Sequence, residues 1–242
     1  MDIKDFFERI YVLHLPERTD RFEALQRELR HLDIDLKSAK VRIPVVPRPS
    51  DANLFSSRGT YHNFLTHLAI FRETIEDKLA NVWVLEDDAI FSRRMVNEQA
   101  ALVDTLQHQS WDMCFFGHSL KNELKGFDEG LVPIPNHFSF IWSHCYAVNA
   151  RILPTLVDYA QMTTELAPGD PRGARMSIDG AFNMFRERNP HVLTLVGNPV
   201  LSVQKGSPSS IAGSHAYKSW PLIEPMIRLA REARDQLWRL TA

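Results

Sequence analysis

Cysteine is nearly absent. Cys114 and Cys145 are the two in 242 residues, each inside an apolar, strand-like run and neither in a metal-ligand spacing, which predicts two buried free thiols. A dominant charge is lacking as well. With 28 Lys and Arg against 30 Asp and Glu, the net charge of −2 gives no electrostatic case for nucleic acid. No apolar run approaches the length of a membrane span, nothing repeats at a fixed period, and no low-complexity tract divides the chain. Met1-Asp2-Ile3-Lys4-Asp5 is not a signal-peptide pattern, so cytoplasmic residence is the default expectation. The 44% hydrophobic and 24% charged content fits one globular domain over residues 1–242 with a sizeable core.

The most informative stretch is residues 81–91, where the apolar Val82, Trp83, Val84 and Leu85 end in three carboxylates, Glu86, Asp87 and Asp88. Apolar residues on both alternating faces predict a strand covered on both sides, as in the parallel sheet of an α/β fold. Such sheets bind ligands at the carboxyl ends of their strands. Continued alternation sends Glu86 and Asp88 to one side and Asp87 to the other. Two hard oxygen donors facing one spot suit Mn²⁺ or Mg²⁺ held together with substrate phosphates. An acidic turn capping the next helix competes with this reading on composition alone.

Residues 10–15 predict an earlier strand, stopped by Pro16 before a helix that begins near Thr19 and aligns Phe22, Leu25, Leu29 and Leu32. Arg18 and Arg21 lie in the intervening turn and first helical turn, a good place to hold a diphosphate; two solvated arginines are the alternative. A strand over 41–46 follows. The spacing of Phe64, Leu68, Phe71, Ile75 and Leu79 then predicts a helix over 61–78 that carries His67. That histidine weighs more as a structural residue than as a ligand.

These pieces, in this order, resemble the glycosyltransferase family 25 group, the lipooligosaccharide-type sugar transferases related to collagen galactosyltransferases. The family's opening N-L-x-x-R-x-D-R is similar to His14-Leu15-Pro16-Glu17-Arg18-Thr19-Asp20-Arg21, its Leu-Ser-His step to Leu65-Thr66-His67, and its V-L-E-D-D signature to Val84, Leu85, Glu86, Asp87 and Asp88. Further on, His144-Cys145-Tyr146-Ala147-Val148, Ile178-Asp179, Pro199-Val200-Leu201-Ser202-Val203-Gln204 and Ser209-Ser210-Ile211 resemble its later segments. Two departures stand out: His14 where asparagine is usual, and Asn63 where cysteine commonly stands.

The resemblance implies a GT-A-like fold, with a mostly parallel Rossmann-type sheet and helices on both faces. It implies a metal-dependent, inverting transfer from a nucleotide-sugar donor, a UDP-sugar first, to a hydroxyl of a saccharide or similar acceptor in cell-surface oligosaccharide (lipopolysaccharide) biosynthesis. Arg18, Arg21, His67, Glu86 and Asp87 would hold the donor, Glu86 and Asp88 the metal ion. His215 is the best-placed histidine to complete the coordination, with a solvated loop histidine as the heavier alternative. Asp179 would be the general base; helix capping is its other role, and Glu123 and Asp128 are next in line for the base.

Residues 95–108 read as one amphipathic helix, and residues 118–138, rich in Gly and Pro, and 163–176 read as long loops beside the site, the first a candidate lid. The C-terminal stretch has an apolar side, including Ile223, Met226, Ile227 and Trp238, opposite several arginines. Docking on the domain outweighs peripheral contact with an inner membrane surface, because Glu232 and Asp235 dilute the basic face. Two other readings stay open: a nucleotide-sugar-binding module without turnover, and a metal-dependent phosphoester hydrolase, which needs more clustered ligands than are in register.

Overall fold

The computed structural model describes residues 1–205 together with Leu237 and Trp238. Seven strands lie in the order β2-β1-β3-β7-β5-β8-β6. Towards one edge β1 (Arg9–Leu13) pairs in parallel with β2 (Val41–Arg42) and β3 (Asn81–Glu86). Strand β7 (Phe140–Asn149) runs antiparallel between β3 and β5 (Met113–Leu120). Outside β5 lie β8 (Thr194–Asn198), parallel to it, and β6 (Gly130–Ile134), antiparallel to β8. The short β4 (Ala89–Phe91) and β9 (Ser202–Gln204) pair with each other, and β9 also joins β5. Thus β1, β2, β3, β5, β8 and β9 run one way and β4, β6 and β7 the other.

Alternation along these strands divides the core in two. Tyr11, Val84, Phe115 and Tyr146 face Phe64 and Phe71 of α3 (Arg58–Glu76), Leu156 of α6 (Leu153–Glu165) and Phe182 of α7 (Ile178–Arg188). Val12, Trp83, Phe116 and Ala147 face Ile3 of α1 (Ile3–Phe6), Leu25 of α2 (Thr19–Arg30), Met95 of α4 (Arg93–Asn97) and Leu102 of α5 (Gln99–His108). The fold is therefore the GT-A-like α/β arrangement expected, with helices on both faces. Cys114 and Cys145 are buried free thiols.

Three local expectations are corrected. The strand expected over 41–46 ends at Arg42; Pro44 and Pro47 have no N–H to give a ladder, and residues 43–46 line a cavity instead. The helix expected over 95–108 is two, broken at Glu98, which closes α4 and opens α5. Residues 118–138 are not one long loop, because the end of β5 and all of β6 lie within them. Pro133 is exposed and its neighbours Val132 and Ile134 are buried. A proline on an edge strand loses no ladder bond, so the residue that reads as a loop signal is compatible with β6.

Gly117 in β5 has a packing reason. A Cβ there would collide with the imidazole of His144 and lie 3.0 Å from the Ser202 carbonyl oxygen. His144 is fully buried, and burial pushes its pKa down to about 3, so the ring is neutral. Gly117→Ala is expected to lower the unfolding free energy by about 1–3 kcal/mol, as overpacking a filled interior does. Urea denaturation measures this; an unchanged midpoint would show that the ring yields freely.

Candidate functional site

Strands β1 and β3 are parallel neighbours with Leu13 opposite Glu86, so their carboxyl ends open side by side. β3 ends at Glu86, and the Asp87 N–H donates to the Leu13 carbonyl at 3.1 Å as the chain turns toward β4. Because residues 87 and 88 form a turn, the strict alternation expected across the three carboxylates stops there. One guanidinium serves two of them: Arg21 Nη1 lies 2.9 Å from Asp87 Oδ1 and 3.1 Å from Asp88 Oδ2. Arg21, in the first turn of α2, is buried by the pairing. The second oxygen of Asp87 meets His14 Nδ1 at 2.9 Å.

Glu86 points elsewhere. Asn63 Nδ2 donates to its Oε1 at 3.2 Å and Gln204 Nε2 to its Oε2 at 3.4 Å. Behind it His67 is fully buried, with Nε2 at 4.0 Å from Glu86 Oε1 and Nδ1 at 2.8 Å from the Tyr146 hydroxyl. Burial pushes the His67 pKa down to about 3, so the ring is neutral. His67 is therefore anchored on Tyr146, with its Nε2 left without a hydrogen-bond partner, and it does not line the cavity. Burial first, and repulsion from Asp88 second, raise the pKa of Glu86. Burial likewise raises that of Asp88, with Arg21 opposing it and Asp87 adding to it.

Glu86, Asp87 and Asp88, with Asn63 and Gln204, line a cavity of about 870 Å³. Its floor is the acidic turn with His14 and Arg21; its far walls are residues 43–46, the start of α3 and Lys205. The Lys205 N–H donates to the Asp88 carbonyl oxygen at 2.6 Å. Arg18 precedes α2, with its guanidinium on Asp20 at 2.9 Å.

Asp88 decides whether a cation fits. Its Oδ1 is buried without a hydrogen-bond partner at the edge of the cavity, the state of an anionic oxygen built to receive a positive charge. Among the described residues no group of three or more His, Cys, Asp or Glu converges on a common point. Magnesium-type ions need no such group, since they are held by one or two carboxylates plus phosphate oxygens and water. Asp88 fits that donor set. Glu86, with both oxygens taken by amides, fits it less directly.

Asp179 is set apart from this cavity. It lies in the first turn of α7, where its Oδ2 accepts the Trp142 N–H at 3.2 Å and its Oδ1 the Gly180 N–H at 3.0 Å. Of the reserve candidates for the base, Glu123 is bound to Lys125, and Asp128 gives its backbone carbonyl to Asn198. His215, the Ser209-Ser210-Ile211 segment and most of the C-terminal amphipathic stretch lie outside the described residues. Among the described residues no helix is long and apolar enough to cross a membrane.

The sequence reading missed the pairing of His14 with Asp87 and the use of Asn63 and Gln204 on Glu86. Both departures from the family pattern thus touch the acidic turn directly. His14 and Asn63 were visible in sequence as departures, whereas Gln204 carried no local signal.

No protein-family model matches the chain. Procollagen galactosyltransferase 2 of Mus musculus is 22% identical over 207 residues, 76% of this chain and 31% of that protein. The Homo sapiens protein of the same name is 24% identical over 208 residues, with 76% and 31% covered. The inactive glycosyltransferase 25 family member 3 of Homo sapiens is 26% identical over 161 residues, 59% of this chain and 27% of that protein. The chain spans about a third of the length of these relatives. Among solved structures, a glycosyltransferase involved in the glycosylation of the major capsid of PBCV-1 aligns over 94% of this chain and 99% of its own, with a TM-score of 0.51 and 11% identity, a likeness of fold. The resemblance read from the motifs thus meets named proteins: the chain is similar to procollagen galactosyltransferases and to a glycosyltransferase 25 family member, on a GT-A-like fold.

Proposed function

We propose that the protein is a divalent-cation-dependent, inverting glycosyltransferase that moves a sugar from a nucleotide-sugar donor to a hydroxyl of a saccharide or similar acceptor. The observation that carries this reading is the acidic turn itself. At the carboxyl ends of β1 and β3 it combines a carboxylate oxygen with no hydrogen-bond partner, Asp88 Oδ1, with the cationic Arg21, beside a cavity large enough for a nucleotide sugar. Asp88 would hold Mn²⁺ or Mg²⁺, with Glu86 beside it, and a bound ion would supply charge neutralisation for the leaving nucleoside diphosphate. Arg21 and Arg18 offer guanidinium groups to the phosphates. Asn63 and Gln204 fix the orientation of Glu86, and His67 packs behind it. Asp179 takes the proton of the acceptor hydroxyl as the new bond forms. Because relatives are named galactosyltransferases, UDP-galactose is the first donor to try, followed by other UDP-sugars.

A second reading has its own observation. Arg21 already neutralises Asp87 and Asp88, and one relative is named inactive, which fits a module that binds a nucleotide sugar without turnover. One experiment separates the two. UDP at a hundred times its Kd should stabilise the fold by about 2.7 kcal/mol, seen as a higher melting temperature that needs Mn²⁺ or Mg²⁺. Slow hydrolysis of a UDP-sugar panel should accompany it. A shift without hydrolysis or transfer supports the inactive module; no shift with any nucleoside diphosphate removes both readings.

A further inference from the structure

We propose that Trp142, held outward by Asp179, is the stacking platform for a sugar ring of the acceptor. This deepens the transferase reading and rests on it. In the sheet order the donor cavity occupies the ends of β2, β1 and β3, and the next strand across is β7. The last rung between β3 and β7 joins Leu85 to Cys145. The start of β7 runs on past that rung, still fastened on its other side by Ser119 opposite Ile141 and Leu120 opposite Phe140. Trp142 lies between Cys145, opposite Gly117, and Ile141, opposite Ser119, in a bulged stretch where four β7 residues match two of β5, so it stands within roughly 7 Å past the rung, at the same end of the sheet as Asp87 and Asp88. An acceptor attacking a donor anchored at the acidic turn has this edge as its next neighbour.

The local geometry is unusual in a directed way. Trp142 has φ of +71°, a left-handed conformation rarely adopted by a bulky residue. Such outliers persist where their surroundings hold them, and they cluster at ligand sites. The hold here is the Asp179 carboxylate on the Trp142 N–H. The result is that Trp142 as a residue is 42% exposed beside Ile141 at 44%, and among the described residues its ring stacks on no other. An exposed, rigid indole has a flat apolar face that matches the C–H face of a pyranose, and its two-torsion side chain loses little freedom on binding. Asp179 is thereby tied through its Oδ2 to the residue that would bear the sugar, which fixes acceptor and base relative to each other.

The test compares Trp142→Ala and Trp142→Phe with the wild type, after melting curves show both variants folded. In transfer to lactose and to methyl glycosides of galactose and glucose, the acceptor KM should rise at least about tenfold in the alanine variant and stay near wild type in the phenylalanine variant, with the donor KM the same in all three. An unchanged acceptor KM in Trp142→Ala, or donor and acceptor KM rising together, overturns the proposal. A fluorescence titration with the same sugars separates this idea from the transferase reading. A sugar-induced emission change present in the wild type and absent in Trp142→Phe supports the platform even if no donor is turned over. No response to any of these sugars overturns the platform even if donor hydrolysis is found.

Discussion

Asp88→Asn is expected to reduce metal-dependent transfer by at least roughly a hundredfold while leaving the fold as stable as the wild type or more so. Two effects separate cleanly at this position. The activity loss follows from removing a buried anionic oxygen that has no hydrogen-bond partner, on a residue that lines the cavity. The stability gain follows from the direction of its titration. Burial, with repulsion from Asp87, raises the folded-state pKa of Asp88. A group whose pKa is raised on folding contributes stability that is full below the unfolded value, near 4, and is lost as pH rises through the folded value. At neutral pH without divalent ions the wild type therefore carries a charge it would be more stable without, and asparagine lacks that charge. Melting at pH 7 without metal should be equal or higher in the variant, and the difference should shrink toward pH 4. Wild-type turnover with Mn²⁺ would sink the assignment of Asp88 to the ion.

Asp179→Asn carries the second large effect. A general base typically contributes 10² to 10⁴ in rate, whereas its capping and positioning roles are worth about 1 kcal/mol. Asparagine retains an oxygen that can accept the Trp142 N–H, so the positioning survives and the basicity does not. Transfer is therefore expected to fall at least roughly a hundredfold, with nucleoside diphosphate binding and melting close to wild type. If the variant transfers at the wild-type rate, Asp179 is a holder of Trp142 and the proton leaves by another route.

The sheet was legible where sequence period and burial agree. The run through Val82 to Leu85 is buried on both faces in the structure as its composition requires, and α3 buries Phe64, Leu68 and Phe71 as their spacing requires. Elements set by tertiary context were not. β6 exists because residues 130–134 pair with β8 at an edge where Pro133 loses nothing, and β2 is short because prolines follow it. In the site, the position of the acidic turn at the carboxyl end of a buried strand was readable from the apolar run before it, whereas sequence order puts β2 before β3 and the structure places β1 between them. That Arg21 would lie across Asp87 and Asp88, and that Gln204 would reach Glu86 from 118 residues away, depended on a turn and on a late strand that no local pattern encodes. Trp142 was silent for the same reason, since its exposure follows from a backbone conformation and not from its neighbours in sequence.

The return of β9 to the acidic turn also sets an order of events in folding. The turn follows β3 early in the chain, yet Gln204 on Glu86 and the Lys205 N–H on the Asp88 carbonyl come from the far end of the described residues. Bringing such distant points together costs loop entropy that must be met before the contact rewards it. During synthesis, which delivers the N-terminal part first, the three carboxylates are made long before the strand that closes around them. The strand pairs of β1, β3, β5 and β7 need nothing beyond residue 149, so pairing can begin while the cavity still lacks a wall, and competence to bind waits on a strand made well after that pairing is possible.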